Sequence, residues 1–142
     1  MWLAGRLVAI DGTCLDLADT AENAAFFGRP GVNKGEKAAF PQARILALAE
    51  GGAIFTAQVG AYGESESESV LTERLLPALQ PGMLVAADLG FFSYALWCKA
   101  SGTGVELLWR VRTDAAGPKP VHVRDLPDGS WLAHLLRSTA QR

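Results

Sequence analysis

Two aspartates each close a run of apolar residues: Asp11 after Leu7-Val8-Ala9-Ile10, and Asp88 after Met83-Leu84-Val85-Ala86-Ala87. A run without polar alternation is the pattern of a strand covered on both faces, so each Asp is expected at the carboxyl end of a central strand. Ligand sites in open α/β sheets lie at those ends. Two carboxylates converging there repel one another unless a cation lies between them, and hard oxygen donors suit Mg²⁺ or Mn²⁺. The chemistry such a pair serves is metal-assisted phosphoryl transfer. The simpler alternative is that each Asp closes a turn by accepting a hydrogen bond from a backbone N–H just after its strand.

The elements that must position these aspartates can be read from the pattern around them. Residues 6–17 read as a strand that emerges at Asp11, turns at Gly12 and continues with alternation, as a hairpin or a bent strand. Residues 19–41 are rich in Gly, Asn, Pro and charge, centred on Gly28-Arg29-Pro30-Gly31-Val32-Asn33-Lys34-Gly35, and read as a long surface loop. Residues 43–50 and 53–59 flank Gly51-Gly52, a two-residue hairpin signal. Ser65-Glu66-Ser67-Glu68 then precedes Val70, Leu71, Leu75, Leu76 and Leu79, a helical stripe with an acidic first turn that ends at Pro81-Gly82. Ser93–Ser101 reads as a short helix stopped by Gly102, and residues 105–111 as a further strand. Such an order predicts a mixed α/β sheet with right-handed crossovers. Beyond Asp114 the pattern weakens: Gly117-Pro118-Lys119-Pro120 reads as a linker, and Trp131, Leu132, Leu135 and Leu136 fall at near-helical spacing, enough for a turn or two of amphipathic helix.

The composition bounds the function. With 142 residues, 49% of them hydrophobic and 20% charged, the chain is a single ordinary globular domain by expectation. The net charge of −2 argues against a surface built throughout to hold phosphates. Residues 1–71 carry 5 basic and 9 acidic side chains and residues 72–142 carry 8 and 6, so the second half leans basic. No apolar run approaches the ~20 residues that span a bilayer. The start, Met1-Trp2-Leu3-Ala4-Gly5-Arg6, lacks the basic region of a signal peptide, so a cytoplasmic location without membrane partners is expected. Cys14 and Cys98 have no Cys-x-x-Cys spacing and no neighbouring His, which predicts buried free thiols rather than a zinc site or a disulfide.

Several words along the chain occur in one order: Ala9-Ile10-Asp11-Gly12-Thr13, Asp19-Thr20-Ala21-Glu22-Asn23, Phe27-Gly28, Phe40-Pro41-Gln42-Ala43-Arg44, Asp88-Leu89-Gly90-Phe91-Phe92-Ser93, Leu108-Trp109-Arg110-Val111 and Asp128-Gly129-Ser130-Trp131-Leu132. In that order they resemble the DDE transposases of bacterial insertion sequences, and the resemblance covers nearly the whole chain. It implies a ribonuclease H-like mixed sheet with flanking helices, incomplete at the carboxyl end. Residues 1–113 would be a partial catalytic domain and residues 114–142 the start of a β-rich insertion. The resemblance further implies that Asp11 on the first strand and Asp88 on the fourth are catalytic and bind two divalent metals, Mg²⁺ or Mn²⁺, together with a distant Glu. Those metals would activate water or a 3′-hydroxyl and stabilise the leaving oxygen at a DNA phosphodiester.

The chain departs from that pattern in places. The family's Glu lies in a Tyr…Arg…Glu…Lys signature that these residues do not contain. Glu106, which follows the second Asp, falls on a strand and reads as a rim residue. Leu89 stands where the family usually has an arginine that could contact nucleic-acid backbone or brace the carboxylate. The helical DNA-binding region at the family's amino terminus is also missing, so the chain is expected to be an internal fragment. Its partner would be DNA at transposon ends, held weakly, and it could pair with itself or with an intact transposase. The competing expectation is a catalytically dead interaction or regulatory module, or a relic.

Other chemistries are excluded or weak. Asp11-Gly12-Thr13 also resembles the haloacid dehalogenase phosphatases, whose nucleophilic Asp two residues earlier is here Ala9, so no aspartyl-phosphate route exists. Gly31 to Lys37 does not spell a Walker motif. His122 and His134 lack other ligand types nearby and read as ordinary surface or core residues. Glu68 reads as charge placement at a helix start. Arg110, Arg112 and Lys99 could touch DNA phosphates but read first as solvated cations.

Overall fold

The computed structural model describes residues 5–31, 37–62, 66–112 and 118–136. Its first strand, β1 (Arg6–Asp16), runs through Gly12 without a turn. The glycine serves close approach instead: a Cβ there would come 2.7 Å from Leu46 Cδ1 on the neighbouring strand. Residues 19–41, expected to be all loop, contain α1 (Ala21–Phe27), which Thr20 caps by accepting a hydrogen bond from the Asn23 N–H and which Gly28 ends at φ 74°. The helix buries none of its residues, so it carries no apolar stripe for periodicity to reveal. Gly31 and Lys37 form an isolated antiparallel bridge.

The hairpin of β2 (Gln42–Glu50) and β3 (Ala53–Ala61) turns at Gly51 and Gly52, with φ of 57° and 85°, as the two-glycine signal predicts. Next comes α2 (Glu68–Leu75), capped by Ser67 and prolonged by a 3-10 turn over Leu76–Ala78. β4 (Met83–Ala87) leads into a second 3-10 turn at Leu89–Phe91. After it come α3 (Tyr94–Ser101), capped by Ser93, and β5 (Glu106–Trp109), shorter than the sequence suggested. The five strands form one mixed sheet in the order β3-β2-β1-β4-β5. β1 is antiparallel to β2 and parallel to β4, which is parallel to β5. The first and fourth strands therefore lie side by side at the centre, as the ribonuclease H-like expectation requires.

The core lies on one side of this sheet. Val8, Ile10, Leu46, Leu48, Met83 and Val85 pack against Leu71, Leu75 and Leu76 of α2 and its extension and against Leu96 and Ala100 of α3. Among the described residues the opposite face has no comparable cover: Leu7 and Leu15 of β1, Ile54 and Val59 of β3 and Leu108 of β5 are all exposed. The described residues thus cover the central strands on one face, not on both. Small residues such as Ala9, Ala49 and Ala86 keep the open face flat, and an unbroken apolar run does not distinguish such a face from a buried one.

The last described segment corrects the sequence reading twice. Lys119 and Pro120 belong to β6 (Lys119–Asp125), and Trp131–Leu136 forms β7, paired with β6 as a separate two-stranded sheet. Gly129, at φ 84°, sits in the turn where Ser130 donates from both N–H and Oγ to Asp128 Oδ1. This turn chemistry between two apolar stretches outweighs the near-helical spacing of four residues. The apolar side chains of Val121, Val123, Trp131, Leu132 and Leu136 are exposed. Both cysteines are also exposed, because Cys14 lies beyond the helical cover and Cys98 on the outer side of α3; they are not buried thiols.

Candidate active site

Asp11 and Asp88 stand at one level of the sheet. Ile10 and Ala87 are the last partners in the parallel β1–β4 ladder, and the next residue on each chain segment is an aspartate. Ala87 is also the partner of Trp109, after which comes Arg110. The Arg110 N–H donates to the Ala87 carbonyl oxygen at 3.2 Å, extending the row past the end of β5. Ile10, Ala87 and Trp109 face the core, so strand alternation turns Asp11, Asp88 and Arg110 to the open face.

The turn-closing alternative holds for one aspartate only. Asp11 Oδ1 accepts the Gly12 N–H at 2.8 Å, which occupies one carboxylate oxygen locally. Asp88 precedes the 3-10 turn at Leu89–Phe91, yet its side chain makes no bond to that turn. Its Oδ1 lies 3.9 Å from Arg110 Nη1, with the two side chains 76% and 75% exposed. Exposed carboxylate oxygens on adjacent strands are hard donors that fit a divalent cation. Among the described residues, no group of three His, Cys, Asp or Glu side chains stands close enough to hold a metal.

The remaining residues singled out from sequence lie away from this row or play other parts. Glu106 is the partner of Leu84 at the start of β5, roughly 13 Å along the strand from Arg110 at ~3.3 Å per residue, which keeps it at the rim. Lys99 on α3 pairs with Glu73 on α2 at 2.7 Å, on the covered side of the sheet. Glu68 is the first residue of α2. His122 bonds Asp125 at 3.0 Å and stacks on Trp131 with ring centroids 5.7 Å apart, in the separate hairpin that also carries His134. Arg110 and Arg112 both lie past the end of β5. Where the resemblance implies an arginine after the second Asp, the half-buried Leu89 begins the 3-10 turn, and the cation beside Asp88 is Arg110. Sequence reasoning weighed Arg110 only as a phosphate contact. Its partnership with Asp88 depends on the β4–β5 register, which single-sequence patterning does not supply.

No family model matches the chain. Transposase InsG for insertion sequence element IS4, from Escherichia coli (strain K12), is 29% identical over 143 residues, covering 99% of this chain and 31% of InsG. The chain therefore spans about a third of the length of that relative. The fold matches the piggyBac transposase in the cryo-EM structure of its synaptic complex with hairpin DNA. That match has a TM-score of 0.52 and 17% identity, over 78% of this chain and 24% of the other, and at that identity it speaks to fold alone. Along nearly its whole length the chain is thus similar in sequence to one insertion-sequence transposase, and its fold is similar to that of a second transposase.

Proposed function

We propose that the chain carries the first two carboxylates of a DDE transposase catalytic domain, Asp11 and Asp88, and that they hold Mg²⁺ or Mn²⁺ against the DNA backbone. The observation that carries this reading is their placement: one step past the last pair of the β1–β4 ladder, on one exposed face of the sheet. A divalent ion bound there would polarise the phosphate and activate the attacking oxygen for in-line displacement. The chain's own part is positional. Asp11 lies within β1 and Asp88 directly follows the end of β4, so the paired strands bring the two carboxylates to one level, and Arg110 supplies positive charge there for a phosphate oxygen.

On this reading residues 1–113 are the catalytic part, and the hairpin of β6 and β7 opens a β-rich insertion across residues 114–142. The open apolar face that bears Asp11 calls for a cover, and a third carboxylate would arrive with it. Without that carboxylate the 142 residues neither cut nor join DNA. Calorimetric titration with Mn²⁺ tests the reading. The native chain should bind the ion and the Asp11→Asn and Asp88→Asn variants should not, whereas unaltered binding in both variants refutes it. A plasmid-nicking assay with Mn²⁺ checks the inactivity, which nicking abolished by Asp11→Ala would disprove.

The same open face favours a second reading, in which the chain pairs with itself or with an intact transposase and regulates it without chemistry. Inhibition of an InsG-type transposase by the native chain and equally by its Asp11→Asn variant would support it. No effect on the intact enzyme would count against it.

A further inference from the structure

We propose that Arg110 is a positioning residue that couples DNA binding to metal binding at Asp88. Its guanidinium balances the Asp88 carboxylate, and a DNA phosphate that takes the guanidinium leaves the carboxylate to a divalent ion. The inference rests on the reading of Asp11 and Asp88 as a metal site. The backbone of Arg110 is held by the bond from its N–H to Ala87, and by the buried Trp109 before it, whose ring meets Trp97 edge-on with centroids 5.6 Å apart. Its side chain is exposed, and its contact with Asp88, at 3.9 Å, is longer than a hydrogen bond and readily exchanged.

A guanidinium and a divalent ion compete for one carboxylate, since each attracts it and they repel each other. The planar fork of arginine also matches the paired oxygens of a phosphate. Leu89 carries no charge, so the exchange falls to Arg110. Coupling of this kind is reciprocal: phosphate at Arg110 tightens the metal, and the metal tightens phosphate.

The experiment is a Mn²⁺ titration of the full chain, with and without a short DNA duplex of arbitrary sequence. The duplex should tighten Mn²⁺ binding by the native chain. Arg110→Ala should bind Mn²⁺ about two- to fivefold more tightly without DNA, the effect of one exposed charge pair, and should lose the response to the duplex. Arg110→Lys should restore the competition and part of the coupling. Lys99→Ala removes the same charge from the covered side and should change neither. Equal Mn²⁺ affinity in native and Arg110→Ala chains, or an undiminished duplex response, overturns the proposal even if Asp11→Asn and Asp88→Asn still abolish binding. Binding that survives both of those substitutions overturns the metal reading itself.

Discussion

Ile10 and Ala87 are paired across two adjacent parallel strands, and the residue after each is an aspartate on the open side of the sheet. The spacing of the two carboxylates is therefore a property of the ladder, and the exposed Asp88 side chain adds little to stability. Asp88→Asn should leave the unfolding free energy, measured in urea, within about 0.5 kcal/mol of native. A loss of several kcal/mol would mean that Asp88 braces the fold.

Gly12 follows Asp11 and lies against Leu46, a fully buried side chain with little room to yield. Gly12→Val should therefore cost about 1–3 kcal/mol through overpacking. Denaturant melts would show it, and Mn²⁺ affinity should fall with it because Asp11 moves with the strand. An unchanged melt would mean that β2 can shift to make room.

The open face predicts self-association that depends on its apolar side chains. Replacing Leu7 and Leu108, both exposed on that face, by serine should shift sedimentation toward monomer and raise solubility. The melting temperature should fall little, since neither residue belongs to the buried cluster. A strong loss of stability would show that this face is already packed.

Acid should weaken the edge of the sheet in a defined way. The hydrogen bonds from Arg74 hold the Glu66 carboxyl below its ordinary value, and those from Arg6 do the same for Glu50. A carboxylate whose value is depressed on folding stabilises the fold above its unfolded value and loses that contribution as pH falls through the folded one. Arg74→Ala should thus lower the melting temperature at pH 7, with the gap to native closing as pH falls below about 4.5. A gap that stays constant down to pH 3 would show that Arg74 acts by packing.

How much of this was legible in the sequence differed between elements for physical reasons. Gly51-Gly52 announced a hairpin, and Ser65–Glu68 and Ser93 the starts of two helices, because turn and helix-start chemistry is local. Helix α1 escaped because it buries nothing, and β7 was misread because four apolar residues fit two periods at once. The two aspartates were visible at the ends of their runs. Their shared level and the arrival of Arg110 beside Asp88 depend on register between distant strands, which no local pattern encodes. The hairpin of β6 and β7 is marginal on two strands alone. Its amides across Trp131–Leu136 should therefore exchange faster than those of Leu84–Ala87. Equal protection would identify it as a packed element and count against the reading of residues 114–142 as the opening of a larger insertion.

A metal ion held by Asp11 and Asp88 can be located directly in the chain. Fe²⁺ substituted for Mg²⁺, with ascorbate and peroxide, generates hydroxyl radicals that cut the backbone next to the bound metal. Cuts should cluster around residues 11 and 88, be lost in Asp11→Asn and in Asp88→Asn, and be suppressed by excess Mg²⁺. Cuts placed elsewhere, or left unchanged by both substitutions, would contradict metal binding there.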